Sequence, residues 1–185
     1  MVMEEQHKIT SEKIKIERLN CNHNLLDFKS EEQELVDFLV EDALDNQRKQ
    51  ISVTYLVFLN TGELTGYVTL LNDRINLEGD LKEAFREKGI LYRALPALKI
   101  GKLCVDERFL RRGLGTMMVD FSVKVAFHIY EKYSGCRFIV LDAKRNPKND
   151  PIHFYKKLGF KELKERRKGT TPMYFDLVDN IKFSI

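Results

Sequence analysis

The spacing of apolar positions changes several times along the chain, and each change marks a predicted element. Alternating apolar and charged residues over 13–19 predict a half-buried first strand. A capping-box pattern at 30–33 precedes apolar residues at helical spacing, which predicts a helix to about Gln50. The β-branched and aromatic runs within 51–71 flank a turn at 60–63 and predict a β-hairpin.

The middle of the chain alternates between helical patterns and apolar strands. Asp80 can cap a short helix that Gly89 ends, and a strand is predicted over about 98–105. Apolar residues cover most of the helix predicted from about 116 to 133, so that helix should be well buried. The continuous apolar run 138–141 is typical of a central strand that is covered on both faces.

The remaining segments complete an alternating order of strands and helices. Residues 72–79 are predicted to be a polar connection, and Pro151 suits the first turn of a short helix that Gly159 ends. Two closing strands are predicted over 160–163 and 173–177. The order β, α, β, β, short α, β, α, β, α, β, β is that of a mixed α/β layer structure.

Composition fits an ordinary globular protein with reduced thiols. A chain of 185 residues suits one domain, with a loose segment over 1–12 and a single domain over 13–185. The net charge of +3 is too small to argue for nucleic-acid binding by itself. The three cysteines and four histidines lack the spacing of metal ligands, so no metal site is expected. No leader or apolar run of membrane length is present, so we expect a cytoplasmic protein with no membrane partner.

Residues 103–116 join the end of an apolar strand to a helix start through two arginines and a Gly-x-Gly. A helix N-terminus presents backbone N–H groups and the positive end of the helix dipole to an anion. The glycines let the backbone approach a ligand closely, and Arg111 and Arg112 add positive charge. This stretch therefore predicts a phosphate-binding site. A dinucleotide fingerprint is excluded, because Met118 takes the place of its last glycine.

Two motifs, in order, resemble those of GNAT-type (GCN5-related) N-acetyltransferases. The first is Leu-Arg-Arg-Gly-Leu-Gly at 110–115, and the second is Phe-Tyr-Lys-Lys-Leu-Gly-Phe at 154–160, after the apolar strand. The resemblance covers most of the chain. It implies an α/β fold with a mixed, largely antiparallel sheet of about six to seven strands, flanked by helices and splayed at the acetyl-CoA site. It also implies acetyl-CoA-dependent acetyl transfer to a primary amine of a small molecule or a protein.

The resemblance assigns the acetyl-CoA contacts to three places in the chain. The strand end pairs with the pantetheine arm and polarises the thioester carbonyl, the helix start binds the pyrophosphate, and a loop asparagine holds the pantetheine. The expected cofactor-binding residues are Leu103, Cys104, Val105, Leu110, Arg111, Arg112, Gly113, Leu114, Gly115 and Thr116, with Asn146 or Asn149 in the loop. Leu110 departs from the usual Gln or Arg of the family, which removes one side-chain contact and leaves the backbone amides.

Tyr155 is the expected general acid, because the family arrangement places this hydroxyl against the coenzyme sulfur. The alternative is a tyrosine that only packs in the core. The predicted strand 98–104 carries no carboxylate to act as a general base. A water chain, or an acceptor amine of low pKa, would make such a base unnecessary. Cys104 is expected to be a buried core residue rather than a nucleophile, since no histidine is placed to activate it.

The N-terminal half resembles a narrower branch of the family, which includes toxins of toxin–antitoxin modules that acetylate aminoacyl-tRNA. The similar residues are Phe28, a helical set over 35–47, and strand segments at 54–57 and 66–70. Charged tRNA is therefore an alternative acceptor, although the net charge is low for phosphate neutralisation. A non-catalytic acyl-CoA-binding module is a further alternative. The acceptor, an antitoxin partner and the oligomeric state, with a homodimer among the options, stay open at this point.

Overall fold

This computed structural model describes residues 8–10, 13–144, 151–164 and 169–180. Within these residues, seven strands form one sheet. The strands are β1 Ile14–Arg18, β2 Val53–Leu59, β3 Leu64–Asn76, β4 Ala94–Val105, β5 Phe138–Lys144, β6 Lys161–Glu162 and β7 Thr170–Asp176. Their spatial order is β1-β2-β3-β4-β5-β7-β6. The pairs β1/β2, β2/β3, β5/β7 and β6/β7 are antiparallel. The predicted α/β class with a mixed, largely antiparallel sheet is therefore confirmed.

Six α-helices accompany this sheet in the described part of the chain. They are α1 Gln33–Asp37, α2 Ala43–Arg48, α3 Gly79–Glu87, α4 Leu114–Lys132, α5 Pro151–Lys157 and α6 Leu177–Asn180, with a π-helical turn Phe38–Asp42 between the first two. The chain divides into two compact units, Met1–Leu71 with Ile100–Phe121 and Asn72–Lys99 with Ser122–Ile185. Each unit has a core of its own.

The core of the first unit packs the α1–α2 helical segment on the strands. Its buried residues are Leu19, Phe28, Leu39, Ala43, Leu56, Leu64, Tyr67 and Cys104. The fully buried Tyr67 donates its hydroxyl hydrogen to the Leu35 carbonyl at 2.8 Å, and burial raises the pKa of this phenol. Gln47 ties the helix to the strand end, because its amide donates to the Leu19 carbonyl and accepts from the Thr54 N–H. This packing holds β4, which ends at the candidate site.

The core of the second unit surrounds Phe85 of α3 and Phe138 of β5, whose ring centroids are 5.7 Å apart. Arg137 packs its guanidinium 5.2 Å from the centre of the Phe85 ring and donates to Asp176 at 2.8 Å. The Asp176 carboxylate also accepts from the Val178 N–H at 2.9 Å, which caps α6. Aromatic packing and a buried ion pair therefore fix the end of β7.

Three strands extend further than the apolar pattern predicts. β3 continues through Asn76, so the interpretation of 72–76 as a connection is wrong, and β4 begins at Ala94 rather than near 98. β5 runs on from Leu141 to Lys144, where it pairs with Thr170 of β7. Backbone pairing in a ladder does not require apolar side chains, so polar residues at the sheet surface continue the strand.

The helix boundaries also correct the sequence predictions in four places. Helix α3 begins at Gly79 with Glu78 as its N-cap, so Asp80 lies inside the first turn and does not cap the helix. Helix α1 begins at Gln33 with Glu32 as its N-cap, and Ser30 accepts from the Glu32 N–H at 3.2 Å. This hydroxyl therefore makes a local turn instead of the predicted capping box. Helix α4 begins at Leu114 rather than near 116. The last predicted strand ends at Asp176, and the short helix α6 follows it.

Candidate active site

A buried aspartate fixes the turn that follows β4 in the first unit. Asp106 is fully buried, and its carboxylate accepts from the backbone N–H groups of Lys29 and Arg108, both at 3.0 Å. The Arg108 guanidinium donates to the same carboxylate from Nε at 2.8 Å and from Nη2 at 2.9 Å. Burial opposes ionisation of Asp106, but these donors outweigh it and hold the pKa of the carboxyl below its usual value. The turn is therefore anchored by charge-assisted hydrogen bonds.

The three arginines after Asp106 have different surroundings. Arg108 is paired with that carboxylate. Arg112 lies with its guanidinium 5.6 Å from the centre of the Phe109 ring, and its buried Nε has no hydrogen-bond partner among the described residues. Arg111 is exposed and has a φ of +60°, which a residue other than glycine rarely adopts. Arg111 and Arg112 are thus the cations of this turn that are best placed to meet an anion.

Helix α4 starts directly after the turn, in a geometry suited to anions. Gly113 has a φ of +88°, a conformation that favours glycine, and its carbonyl accepts the first helical bond from the Met117 N–H at 3.1 Å. The amides of 114–116 therefore have no partner within the helix. Leu114 is buried and anchors the helix start, whereas Leu110 is 43% exposed. The predicted phosphate site is thus a well-anchored helix N-terminus beside two arginines.

The end of β4 alternates between the core and a more open face. Cys104 is buried in the first core beside Tyr67, whereas Leu103 and Val105 are half-buried. Burial raises the pKa of the Cys104 thiol to about 11, so the thiol stays protonated at neutral pH. This environment favours the expected packing role of Cys104. The strand also lies close to its neighbour, because a Cβ at Gly66 would be 2.8 Å from the Cys104 carbonyl oxygen.

Tyr155 belongs to the second unit, where α5 packs it in an aromatic cluster. Its ring centroid is 5.0 Å from that of Phe154 and 5.4 Å from that of Phe160. Only 8% of the residue is exposed, and burial raises the pKa of its hydroxyl to about 12. Tyr155 therefore keeps its proton at physiological pH and can donate it. The predicted pantetheine contacts Asn146 and Asn149 lie outside the described residues.

The second unit also contains a cavity of about 780 Å³, here called the polar cleft, which the sequence did not predict. Three charged side chains meet at it. The Lys99 ammonium lies 2.8 Å from Asp142 Oδ2 and 3.7 Å from Asp73 Oδ2. The hydrogen bond to Asp142 and the attraction of both carboxylates outweigh partial burial and raise the pKa of Lys99. The signal that was missed in β5 is the alternation of the exposed Asp142 with the buried Ala143 beyond the apolar run. Asp73 lies in a stretch of three exposed polar residues of β3, which gives no such signal.

The sequence model of the acetyltransferase (GNAT) family matches residues 19–160, which include the turn after β4 and Tyr155. The chain belongs to the GNAT family. It is therefore an acyltransferase by family, with acetyl-CoA as the acetyl donor. The match places both motifs that carry the sequence resemblance inside the family domain.

Solved structures of GNAT toxins have the same fold. AtaT complexed with acetyl-methionyl-tRNAfMet is 24% identical, with a TM-score of 0.76 over 90% of this chain and 96% of that one. A mutant of KacT is 22% identical, with a TM-score of 0.76 over the same shares. AtaTR bound with AcCoA is 24% identical, with a TM-score of 0.72 over 91% and 96%. No curated protein matches the chain significantly.

Two further observations concern membranes and metals. Among the helices of the described residues, none is both long and apolar enough to cross a membrane. In the same part of the chain, His, Cys, Asp and Glu side chains form no group of three that could hold a metal ion.

Proposed function

We propose that this GNAT chain binds acetyl-CoA at residues 103–116 and transfers the acetyl group to a primary amine of a small molecule or a protein. The observation that carries the assignment is the start of α4. Gly113 turns the backbone so that the amides of 114–116 point out of the helix, beside Arg111 and Arg112. A pyrophosphate there gains hydrogen bonds, the helix dipole and opposite charge together. Leu110 adds no polar contact to this site.

The end of β4 and the asparagines after β5 complete the proposed donor site. In this proposal the backbone of Leu103, Cys104 and Val105 pairs with the pantetheine arm, in the manner of strand addition. The same amides polarise the thioester carbonyl as the acceptor nitrogen approaches. Asn146 or Asn149 contributes the loop contact to the pantetheine.

Tyr155 acts as the proton donor in this proposal. Acetyl-CoA supplies an acetyl group that is activated as a thioester. As the C–N bond to the acceptor forms and the C–S bond breaks, the Tyr155 hydroxyl donates its hydrogen to the leaving sulfur, and the acceptor loses a proton to water. Because burial raises the pKa of Tyr155 to about 12, the hydroxyl is protonated at every working pH.

Replacing the phenol tests this role. We expect Tyr155→Phe to lower turnover roughly 10- to 100-fold while acetyl-CoA affinity stays nearly unchanged, because only the hydroxyl is lost. The measurements are thiol release at saturating acetyl-CoA and isothermal titration of acetyl-CoA. Tyr67→Phe is the matched control, since it removes a buried hydroxyl that bonds only within the first core. Unchanged turnover in Tyr155→Phe would remove Tyr155 from the mechanism.

A second candidate acceptor is the α-amino group of aminoacyl-tRNA. The observation that favours it is the likeness to AtaT complexed with acetyl-methionyl-tRNAfMet over 90% of this chain. The amine of an aminoacyl ester has a lowered pKa, so it can attack without a dedicated base. This candidate includes an antitoxin-like partner, as in the complex of AtaT with AtaR.

One acceptor panel separates these candidates. Aliphatic amines, lysine-containing peptides and charged tRNA are each incubated with acetyl-CoA, and free thiol and product mass are recorded. Acetylation of charged tRNA alone would support the toxin-type activity. Thermal stabilisation by acetyl-CoA without thiol release on any acceptor would favour a non-catalytic acyl-CoA-binding module.

A further inference from the structure

Residues 8–10, which precede β1, contact the turn of the proposed donor site. The Ile9 N–H donates to the Arg112 carbonyl at 3.1 Å. Ile9 is half-buried, whereas Lys8 and Thr10 on either side of it are exposed. The segment and the turn both belong to the first unit. The turn before α4 is therefore held by a residue far from it in the sequence.

The arrangement of the strands explains how residues 8–10 reach this turn. The Asn60 N–H donates to the Lys13 carbonyl at 2.9 Å, which places the start of β1 beside the turn between β2 and β3. The Asp106 N–H donates to the Thr65 carbonyl, also at 2.9 Å, which places the end of β4 beside the start of β3. The start of β1 and the end of β4 thus lie at the same end of the sheet, and the segment before β1 crosses this end to contact Arg112.

The turn does not by itself fix the peptide group between Arg112 and Gly113. Gly113 has a φ of +88° and no Cβ, so it also tolerates conformations in which this peptide group is rotated the other way. Arg111, with a φ of +60°, has a conformation that persists only where surrounding contacts hold it. A contact to the Arg112 carbonyl therefore decides which way the peptide group faces.

The bond from Ile9 sets the direction of the next amide. The peptide bond between Arg112 and Gly113 is trans, so its C=O and its N–H point in opposite directions. Because Ile9 holds the carbonyl, the Gly113 N–H faces away from residues 8–10, next to the amides of 114–116 at the start of α4. Successive amides that face one side form a concave site for an anion. With the peptide group reversed, a carbonyl oxygen would face that side and repel the anion.

We propose that residues 8–10 are part of the donor site and that Ile9 is a positioning residue for the coenzyme pyrophosphate. Its N–H holds the peptide group between Arg112 and Gly113, so that the Gly113 N–H binds the pyrophosphate together with the amides of 114–116. The inference rests on the proposed acetyl-CoA site. It adds to that site a residue outside 19–160, the part of the chain that the family model matches.

Two changes at one position separate the N–H of Ile9 from its side chain. Ile9→Pro removes the N–H donor, whereas Ile9→Ala shortens the side chain and keeps the donor. Both leave the charges of the chain unchanged. In isothermal titration of acetyl-CoA, the dissociation constant should rise roughly 3- to 10-fold in Ile9→Pro, as for one hydrogen bond, and stay within about twofold of the wild type in Ile9→Ala. Equal dissociation constants in the two variants would overturn the proposal.

A shorter acetyl donor shows whether the effect acts at the pyrophosphate. S-acetylpantetheine carries the thioester and the pantetheine arm of acetyl-CoA but lacks the pyrophosphate and the adenosine. With an acceptor from the panel above, Ile9→Pro should raise KM for acetyl-CoA roughly 3- to 10-fold and leave kcat unchanged. It should also leave kcat/KM for S-acetylpantetheine at the wild-type value. A general loss of structure would lower kcat/KM for both donors, and that result would overturn the proposal.

The two measurements distinguish failure of this inference from failure of the proposed function. Weaker acetyl-CoA binding in Ile9→Pro, with no acetyl transfer by the wild type to any acceptor, would support the role of Ile9 and overturn the catalytic proposal. Acetyl transfer with equal acetyl-CoA affinity in the wild type and Ile9→Pro would support the catalytic proposal and overturn the role of Ile9. A wild type that does not bind acetyl-CoA would overturn both.

Discussion

Removing the charge of Asp106 should destabilise the fold and loosen the donor site together. This fully buried carboxylate accepts four hydrogen bonds, from Lys29 N, Arg108 N, Arg108 Nε and Arg108 Nη2, at 2.8–3.0 Å. Asp106→Asn keeps one acceptor oxygen and turns an NH₂ group toward donors, so about two of the four bonds are lost. At about 1.5–3 kcal/mol for each bond to a charged group, the expected loss of unfolding free energy is about 3–6 kcal/mol.

The assays for this variant are urea unfolding and isothermal titration of acetyl-CoA. For a chain of this length, the expected loss corresponds to a fall in Tm of roughly 10 °C. The dissociation constant for acetyl-CoA should rise about tenfold, since preorganisation of the turn is lost. Arg108→Gln retains the backbone donors, and its amide can replace one of the two guanidinium bonds, so it should lose about 1.5–3 kcal/mol, which keeps the test readable if Asp106→Asn does not fold.

Asp176→Asn is a matched control for Asp106→Asn. Asp176 is also buried and accepts from an arginine and a backbone N–H, but it caps α6 in the second unit. We expect a similar loss of stability with acetyl-CoA affinity unchanged. Asp106→Asn within about 1 kcal/mol of the wild type would refute the reasoning, as would equal affinity losses in the two variants.

The difference in stability between the wild type and Asp106→Asn should change with pH in a defined direction. Because the pKa of Asp106 is lowered in the folded protein, its stabilisation is present above the ordinary aspartate pKa of about 3.9. It is lost as the pH falls through the folded-state pKa. The stability difference between wild type and Asp106→Asn should therefore shrink in acid. A difference that grows as the pH falls would contradict the assignment.

Glycine and cysteine changes give further tests. Gly113→Ala and Gly62→Ala both force alanine into a positive φ, so each should lose about 1–2 kcal/mol of stability. Only Gly113→Ala should also weaken acetyl-CoA binding, which isothermal titration of both variants would measure. Gly66→Ala should lose about 1–3 kcal/mol in urea unfolding, because its Cβ would lie 2.8 Å from the Cys104 carbonyl oxygen; wild-type stability would contradict this close approach. Iodoacetamide should label the exposed Cys21 far faster than Cys104, whose buried thiol has a pKa near 11, and equal rates at pH 8 would argue against that burial.

The fold was predictable where side chains report burial through their spacing. The apolar run at the start of β5 and the long, mostly apolar α4 were both recognised from sequence. The far end of β3 was missed, because 72–74 are exposed and polar and only backbone pairing holds them in the sheet. The capping residue of α1 was misplaced because Ser30 makes a local turn that competes with a cap.

The candidate site was predictable where it is contiguous in sequence. The turn before α4 carries its own signature, and its glycine adopts the positive φ that the pattern requires. The bond from the Lys29 N–H to Asp106 spans 77 residues, and no local pattern indicates it. Asp73, Lys99 and Asp142 come from three different strands. The sequence alone therefore does not indicate that the two carboxylates face the same lysine.

Acetyl transfer itself is the most direct test of this account. The protein is incubated with acetyl-CoA and a panel of primary amines and charged tRNA, while free CoA thiol is titrated and products are weighed by mass spectrometry. The account predicts thiol release that depends on acceptor, one acetyl group on each product molecule, and a strong loss of rate in Tyr155→Phe. Acetyl-CoA binding at 103–116 with no acceptor-dependent thiol release across the panel would contradict it.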